Sequence, residues 1–529
     1  MSVRYKIEQF PNRSWPDIEQ DLNTQGSSGW DLHELRNQTA VFRSGNGGAS
    51  STTAFGEPLA IPLTPVIQLD AIYGITSNDY ETFTATTGNV ENSGSVFLTH
   101  TGTGAYGYGV IRSRRLLRYR PGQGALARFT AGFSAPNSDT IQRAGLFAQE
   151  QGLFIGNEGT NFGVTRQNGG KAHIYKLDIT TGAGGTETAT VQLNGTNYSI
   201  NLVSGTNVST ASQIEASSSA FLGGYTIQAV SSSVFFAATS LGNRTGAVSF
   251  SSATAAGTVS TIQSGSANVL SFTSQSDFNI DTLDGNGPSG MVLDTTKINV
   301  YQINFRWLGV GEIRYAIENQ DSGDMIFFHH EHFTNKNEVP HLDNPSFKIG
   351  YIAANLTANT ITDVHTYGSS MMGAIEGKVE ITGFPTAVSK TQGTGLGAGQ
   401  LHHLLTIRNN LIYKNKINLR ALKLKQASCA FKGTDPGELL IYLNSTGFSG
   451  AHQYASVGID SNTSISTIAG TFTNPGVPLA IFTIAPGGSV VVDLEELNIV
   501  LPPQNTLTLV LRSGSSINNP IGGLTFSEF

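Results

Sequence analysis

The feature that most constrains this chain is its punctuation. Short runs of Val, Ile, Thr, Phe and Tyr are broken again and again by Gly, Pro, Asn and Asp. β-Branched and aromatic residues suit a pleated strand, whereas helices need long stretches of Ala, Leu, Glu, Lys and Arg. Such stretches are almost absent here. Strands recurring at about 8–12 residues, with turn signals between them, predict two-sheet sandwiches. The 529 residues suffice for about three or four domains, each large enough to bury its own core.

Charge narrows the function classes. Charged residues make up 13 % of the chain, about half the usual share of about 25 %. The net charge of −7 opposes general nucleic-acid binding, which needs a basic face. The single cysteine, Cys429, excludes a disulfide-stapled scaffold. Met1 to Glu8 hold no apolar core of signal-peptide length. No run of about 18 apolar residues occurs, so no membrane insertion is expected. The longest candidate, Val477 to Val492, is interrupted by Pro478, Pro486, Gly487 and Gly488.

Composition also divides the chain. Residues 1–44 read as β-α-β-β: an alternating strand from Ser2, a helix N-capped by Ser14 and running to about Gln25, then two strands. Residues 45–65 read as a linker, Gly/Ser/Thr-rich at first and stiffened by Pro58, Pro62 and Pro65. Residues 66–175 and 271–388 read as two halves of one sandwich. Between them, residues 176–270 read as an inserted β-rich domain, and from Thr181 to Leu270 only Glu187, Glu215 and Arg244 are charged. Within it Asn194-Gly195 is a strong hairpin signal, and Ala211 to Phe221 is a candidate helix. Residues 389–400, with glycine at 393, 395, 397 and 399, read as a second linker. Residues 401–529 read as another sandwich.

Several motifs carry a family resemblance. Gly29-Trp30-Asp31-Leu32 after a helix resembles the mark of a small family of uncharacterised β-α-β-β domains. Leu117-Arg118-Tyr119-Arg120-Pro121-Gly122-Gln123, Leu283-Asp284-Gly285-Asn286-Gly287-Pro288-Ser289-Gly290 and Arg306-Trp307-Leu308-Gly309-Val310-Gly311 resemble, in the same order, a domain common in structural proteins of marine and cyanobacterial myoviruses. That likeness spans roughly 230 residues in this reading. The insert resembles small insertion domains of phage tail and adhesin proteins, and the last sandwich is similar to C-terminal sandwiches of phage virion proteins. The resemblance implies a lectin-type jelly roll and a virion protein, made in the host cytoplasm and released by lysis. The expected fold class is thus mainly β, with tandem β-sandwich/jelly-roll domains, a small α+β N-terminal domain and an inserted β-rich domain.

Candidate chemistry is sparse. His329-His330-Glu331-His332 is followed by Glu338, His341 and Asp343. On a strand His330 and His332 share one face, and His341 could complete a Zn²⁺ or Ni²⁺ site. The helical His-x-x-x-His spacing of zincins is absent, so a strand end or subunit contact is the preferred reading. Asp281, Asp284, Asn286 and Asp294 could offer oxygens to Ca²⁺, but Asp-Gly and Asn-Gly are first of all turn dipeptides. Arg112, Arg114, Arg115, Arg118 and Arg120 could meet an anionic glycan or a neighbour's carboxylates. Tyr106, Tyr108 and Tyr454 could stack on sugars or serve the core.

No nucleophile elbow, phosphate loop or dinucleotide fingerprint appears in context, and no β-helix repeat is visible. The expectation is therefore a non-enzymatic virion component without a cofactor, placed in the tail fibre, spike or baseplate. Its expected partners are other virion proteins, copies of itself (a trimer) and host surface polysaccharide. A head or neck decoration protein and a glycan-binding or depolymerising adhesin are the alternatives.

Overall fold

The computed structural model describes residues 62–377, 383–393 and 395–529, together with the backbone of three strands nearer the N-terminus. Those strands, Arg4–Gln9, Thr39–Ser44 and Asp31–Arg36, form an antiparallel sheet with Thr39–Ser44 in the middle. The helix expected from Ser14, Trp30 of the Gly-Trp-Asp-Leu motif and most of the first linker lie outside the described residues. The last part of that linker is a strand: Leu63–Asp70 pairs with Ser370–Glu376. It accommodates Pro65 because it is an edge strand, with its register shifting beside Ala374, the partner of Pro65. Proline cannot donate to a ladder and is confined to such places.

Two antiparallel sheets build the central sandwich. One runs in the order Val269–Ser274, Asn161–Asn168, Gly152–Glu158, Thr140–Phe147, Lys348–Asn355, Tyr108–Ser113, Tyr80–Ala85. The other centres on Ala125–Phe133, which pairs with Asn299–Phe305, Ser370–Glu376 and His365–Gly368. Alternation sends one face of each strand inward. Phe97, Phe129, Phe133, Tyr301, Tyr315 and Tyr351 meet there, fully buried. Each such ring contributes about 1.5–3 kcal/mol by leaving water. The Tyr351 hydroxyl crosses the layer and donates to the Thr130 carbonyl of the other sheet at 2.8 Å, so its polar tip is satisfied.

The insert grows out of the first sheet as a continuous ribbon. Asn161–Asn168 pairs with Val269–Ser274, Lys171 bridges Ser266, and Ala172–Thr181 then pairs with Ala256–Gln263. The same two chain segments therefore leave one sandwich and enter the next. Beyond the neck, a four-stranded sheet and a three-stranded sheet enclose their own core around Leu177, Val191, Ile214 and Phe236. Asn194 and Gly195, both at positive φ (51° and 80°), make the turn between Glu187–Leu193 and Thr196–Leu202, as a two-residue primed turn requires. The helix is Asn207–Ala216, capped by the Thr206 side chain, and a short 3₁₀ turn follows over Ser218–Phe221.

The last sandwich packs Phe384–Thr391, Asn518–Glu528, Leu422–Lys432 and Ser489–Asp493 against a sheet that includes Leu401–Asn409, Thr506–Ser513, Gly437–Leu443 and Ala480–Ile484. The described part of the stretch read as a second linker is fastened to it. Ser389 pairs with Gly523, Leu396 exchanges two backbone hydrogen bonds with Ile517, and Gly399 donates to Ser513. The glycines act as corners, Gly395 and Gly399 having φ of 73° and 72°, a region glycine enters freely.

A buried arginine joins this sandwich to the insert. Arg408, with its side chain 5 % exposed, donates through Nη1 to Glu215 at 2.6 Å and through Nη2 to the Ala229 carbonyl. Its guanidinium lies 3.7 Å from the centre of the Tyr454 ring. Around it, Leu411 donates to Gln228 and Ser231 donates to the Tyr454 carbonyl. Leu411, Ile174 and Ala237 form a small shared core. Tyr454 is thus a packing residue of this joint.

Two expectations follow. Arg408→Ala leaves Glu215 without its partner, and removing one member of a buried pair costs about 3–5 kcal/mol. With Glu215 still 24 % exposed, we expect a loss of about 3 kcal/mol in chemical unfolding; a loss within experimental error would show that the pair does not hold the joint. The second concerns acid. Burial pushes His403 down to about 4, and burial together with His403 and Arg408 pushes His452 down to about 4. Their folded pKa values lie below the unfolded value of about 6.5, so the unfolded chain binds more protons in between. Stability is fully present above about pH 6.5 and falls as pH drops from there toward 4. Thermal melts at pH 7, 5.5 and 4.5 should show a steady decline, and a flat profile would contradict it.

Candidate functional site

One end of the central sandwich gathers polar loops. Strands Val96–His100 and His365–Gly368 pair with His100 directly opposite His365. The preceding loop brings Asp363 between them. Asp363 Oδ1 accepts from the Gly102 amide at 2.7 Å and from Thr101 Oγ1 at 3.1 Å. Its Oδ2 stands 3.1 Å from His100 Nδ1 and 3.1 Å from His365 Nε2. Burial pushes the Asp363 carboxyl up, but hydrogen bonding to His365 and Thr101 and the charges of the two imidazoles outweigh it and hold the group below its usual range.

The backbone behind these side chains is tied down. Thr101 and Val364 exchange bonds through the Thr101 amide and hydroxyl, and the His365 amide donates to Ser134 Oγ. The residues just before Asp363 line an open polar cleft of about 490 Å³ with Asn137, Ser138 and Asp139. Tyr106 stands beside it, 57 % exposed, its amide donating to the Thr357 carbonyl at 2.9 Å. Tyr108 opens the neighbouring strand and is 36 % exposed. Tyr106 and Tyr108 are thus placed at the surface of this end.

The histidine run lies elsewhere, on strand Met325–Glu331. His330 and His332 do share a face, with ring centres 5.7 Å apart. Their third neighbour is Glu312, whose ligand atom lies within 4.8 Å of theirs. His341 is outside this group: it is buried, stacked on Phe333 at 4.1 Å, with Nδ1 2.8 Å from the Gly309 carbonyl. A shift in register between Tyr315 and Ala316 turns both Phe328 and His329 inward, which strict alternation would not. Glu312 is already engaged by Arg314 and approached by Arg306 at 3.6 Å. Burial and the Arg314 charge push His330 down to about 4.

The Asp-Gly-Asn-Gly-Pro-Ser-Gly loop wraps a carboxylate. Asp281 is buried and accepts from the amides of Leu283 at 2.9 Å and Ser289 at 2.8 Å. A Cβ on Gly287 would fall 1.9 Å from Asp281 Oδ1, so glycine is required for the approach. Asp284 and Asp294 each accept from the amide two residues on. These oxygens face N–H donors and serve turns.

The arginines do not form one patch. Arg112 pairs with Glu81, Arg114 donates to the Ser77 carbonyl, and Arg115 is exposed. Arg118 points to the last sandwich, 5.3 Å from the Phe529 ring, where burial pushes it down to about 10.

The fold therefore defines a mainly β protein of tandem sandwiches, with polar loops concentrated at one end of the central one. No protein-family model matches the chain, and no curated protein matches it. Among solved structures it is similar to arcelin-5, a lectin-like defence protein from Phaseolus vulgaris, at 10 % identity over 60 % of this chain and 99 % of that one, with a TM-score of 0.22. It is also similar to a chain of Sulfolobus turreted icosahedral virus, at 8 % identity over 89 % and 98 % with a TM-score of 0.16. A third likeness is to the mavirus major capsid protein, at 10 % identity over 94 % and 93 % with a TM-score of 0.10. Scores of this size carry no functional argument. Among the described residues no helix is long and apolar enough to cross a membrane.

Proposed function

We propose that this chain is a non-enzymatic structural component of a tailed-phage virion, in the tail fibre, spike or baseplate. In this reading it assembles with copies of itself, as a trimer, and with other virion proteins. The observation that carries the assembly is an open double edge on the last sandwich. Ala480–Ile484 ends one sheet and Ser489–Asp493 ends the other, joined by the turn at Pro486-Gly487-Gly488. Neither has a partner on its outer side among the described residues. No charged residue lies between Val477 and Val492. Val477, Ile481 and Val491 are 87 %, 51 % and 63 % exposed. Monomeric proteins protect such edges with lysines, bulges or a covering loop. Symmetric association covers them by pairing with a second copy. The motifs that resemble those of phage structural proteins support the virion assignment.

A second reading, contact with host surface polysaccharide, is favoured by the cleft beside Tyr106. Hydroxyl and amide groups line it, and Tyr106, an exposed aromatic, is hydrogen-bonded through its amide to Thr357 of the lining, a combination that suits a sugar ring.

The wild-type chain should sediment as a multimer at micromolar concentration, and Ile481→Lys with Val491→Lys should yield a folded monomer. A stable wild-type monomer would overturn the assembly reading. On a panel of bacterial surface glycans, Tyr106→Ala should weaken binding roughly tenfold, as loss of about 1.4 kcal/mol of stacking would. Unchanged binding would remove Tyr106 from the glycan reading, and a chain that binds no glycan would favour a decoration protein.

A further inference from the structure

We propose that His100, Asp363 and His365 form a binding site for one zinc ion. The carboxylate oxygen Oδ2 is 3.1 Å from each of the two facing imidazole nitrogens. In a tetrahedral site with bonds of about 2.0–2.2 Å, neighbouring donor atoms stand roughly 3.3 Å apart. Two edges of such a tetrahedron are therefore already in place. The third, between the imidazoles, lies within 4.8 Å. It closes by rotation of His365, whose side chain is 37 % exposed.

Three features make this a built site. The imidazoles come from facing positions of two paired strands, so the backbone fixes the spacing of their Cα atoms. The second carboxylate oxygen is held by the Gly102 amide and the Thr101 hydroxyl, which aims Oδ2 at the histidines. Such outer contacts orient ligands in metal sites. Among the described residues Asp363 pairs with no lysine or arginine; its ion partners are the two histidines. Neutral imidazoles bind by carrying their proton on the other ring nitrogen, Nε2 of His100 and Nδ1 of His365. Two nitrogens and one oxygen suit Zn²⁺ rather than Ca²⁺, which takes six to eight oxygens. With three protein ligands, water or an oxygen-donor ligand would complete the tetrahedron.

The Glu312, His330 and His332 group is the weaker candidate. A cation there would have to displace Arg314 from Glu312 and sit against its positive charge. This contrast supplies the control. The site is independent of the virion reading and can fail or stand without it.

The test uses the untagged full chain, stripped with EDTA, dialysed and titrated with zinc chloride at pH 7.5. One equivalent should bind with micromolar or tighter affinity and raise the melting temperature. His365→Ala and Asp363→Asn should each weaken binding at least tenfold, and His332→Ala should leave it unchanged. Cobalt(II) bound to the native chain should give the intense visible bands of a tetrahedral site, a readout that needs no variant. Absence of zinc binding, binding undiminished in His365→Ala, loss of binding in His332→Ala instead, or an octahedral cobalt spectrum would each overturn the proposal.

Discussion

Backbone pairing between residues 161–181 and 256–274 is the constraint on which the rest of this architecture depends. A buried strand must pair its N–H and C=O groups, and an excursion from a sheet must return beside its starting point. Here the outgoing and returning segments are partners for most of their length. The central sandwich therefore keeps an intact sheet across the insertion, and the insert inherits a defined direction. Arg408 then uses that direction, reaching from the last sandwich to Glu215 and the Ala229 carbonyl.

Scarcity of charge gives each remaining charge in the insert a visible task. Glu187 accepts from the Thr254 and Ala255 amides, Glu215 pairs with Arg408, and Arg244 lies 5.0 Å from the Tyr225 ring. Elsewhere the described surface of the insert is rich in Ser, Thr, Asn, Gly and Ala. Such a surface carries little charge repulsion, and the open edge around Ile481 and Val491 is exposed and apolar.

Much of the fold was legible because turn chemistry and alternation are local. The Asn194-Gly195 hairpin and the mainly β class follow from a few neighbouring residues each. What was not legible depends on register between distant segments. Pro65 and the glycines at 393 to 399 read as linker signals, yet an edge strand tolerates the proline and the glycines turn corners along a sheet. His330 and His332 read as sharing one face, but their third neighbour is Glu312, just before strand Ile313–Glu318, while His341 is buried against Phe333. The grouping of His100, Asp363 and His365 is not visible in the sequence. Asp363 and His365, two apart, were a faint signal; His100 joins them only through a pairing far apart in sequence.

A buried arginine fastens the last sandwich to the insert, that sandwich ends in an exposed double edge without charge from Val477 to Val492, and polar loops gather at one end of the central sandwich. The proposed virion role requires that the chain belong to a particle. The most direct measurement is immunogold labelling of intact purified particles with antibodies raised against the last sandwich, alongside mass spectrometry of the same particles. The account predicts that the chain is present and that gold decorates the tail or baseplate. A chain found only in the soluble fraction of the lysate, with unlabelled particles, would contradict it.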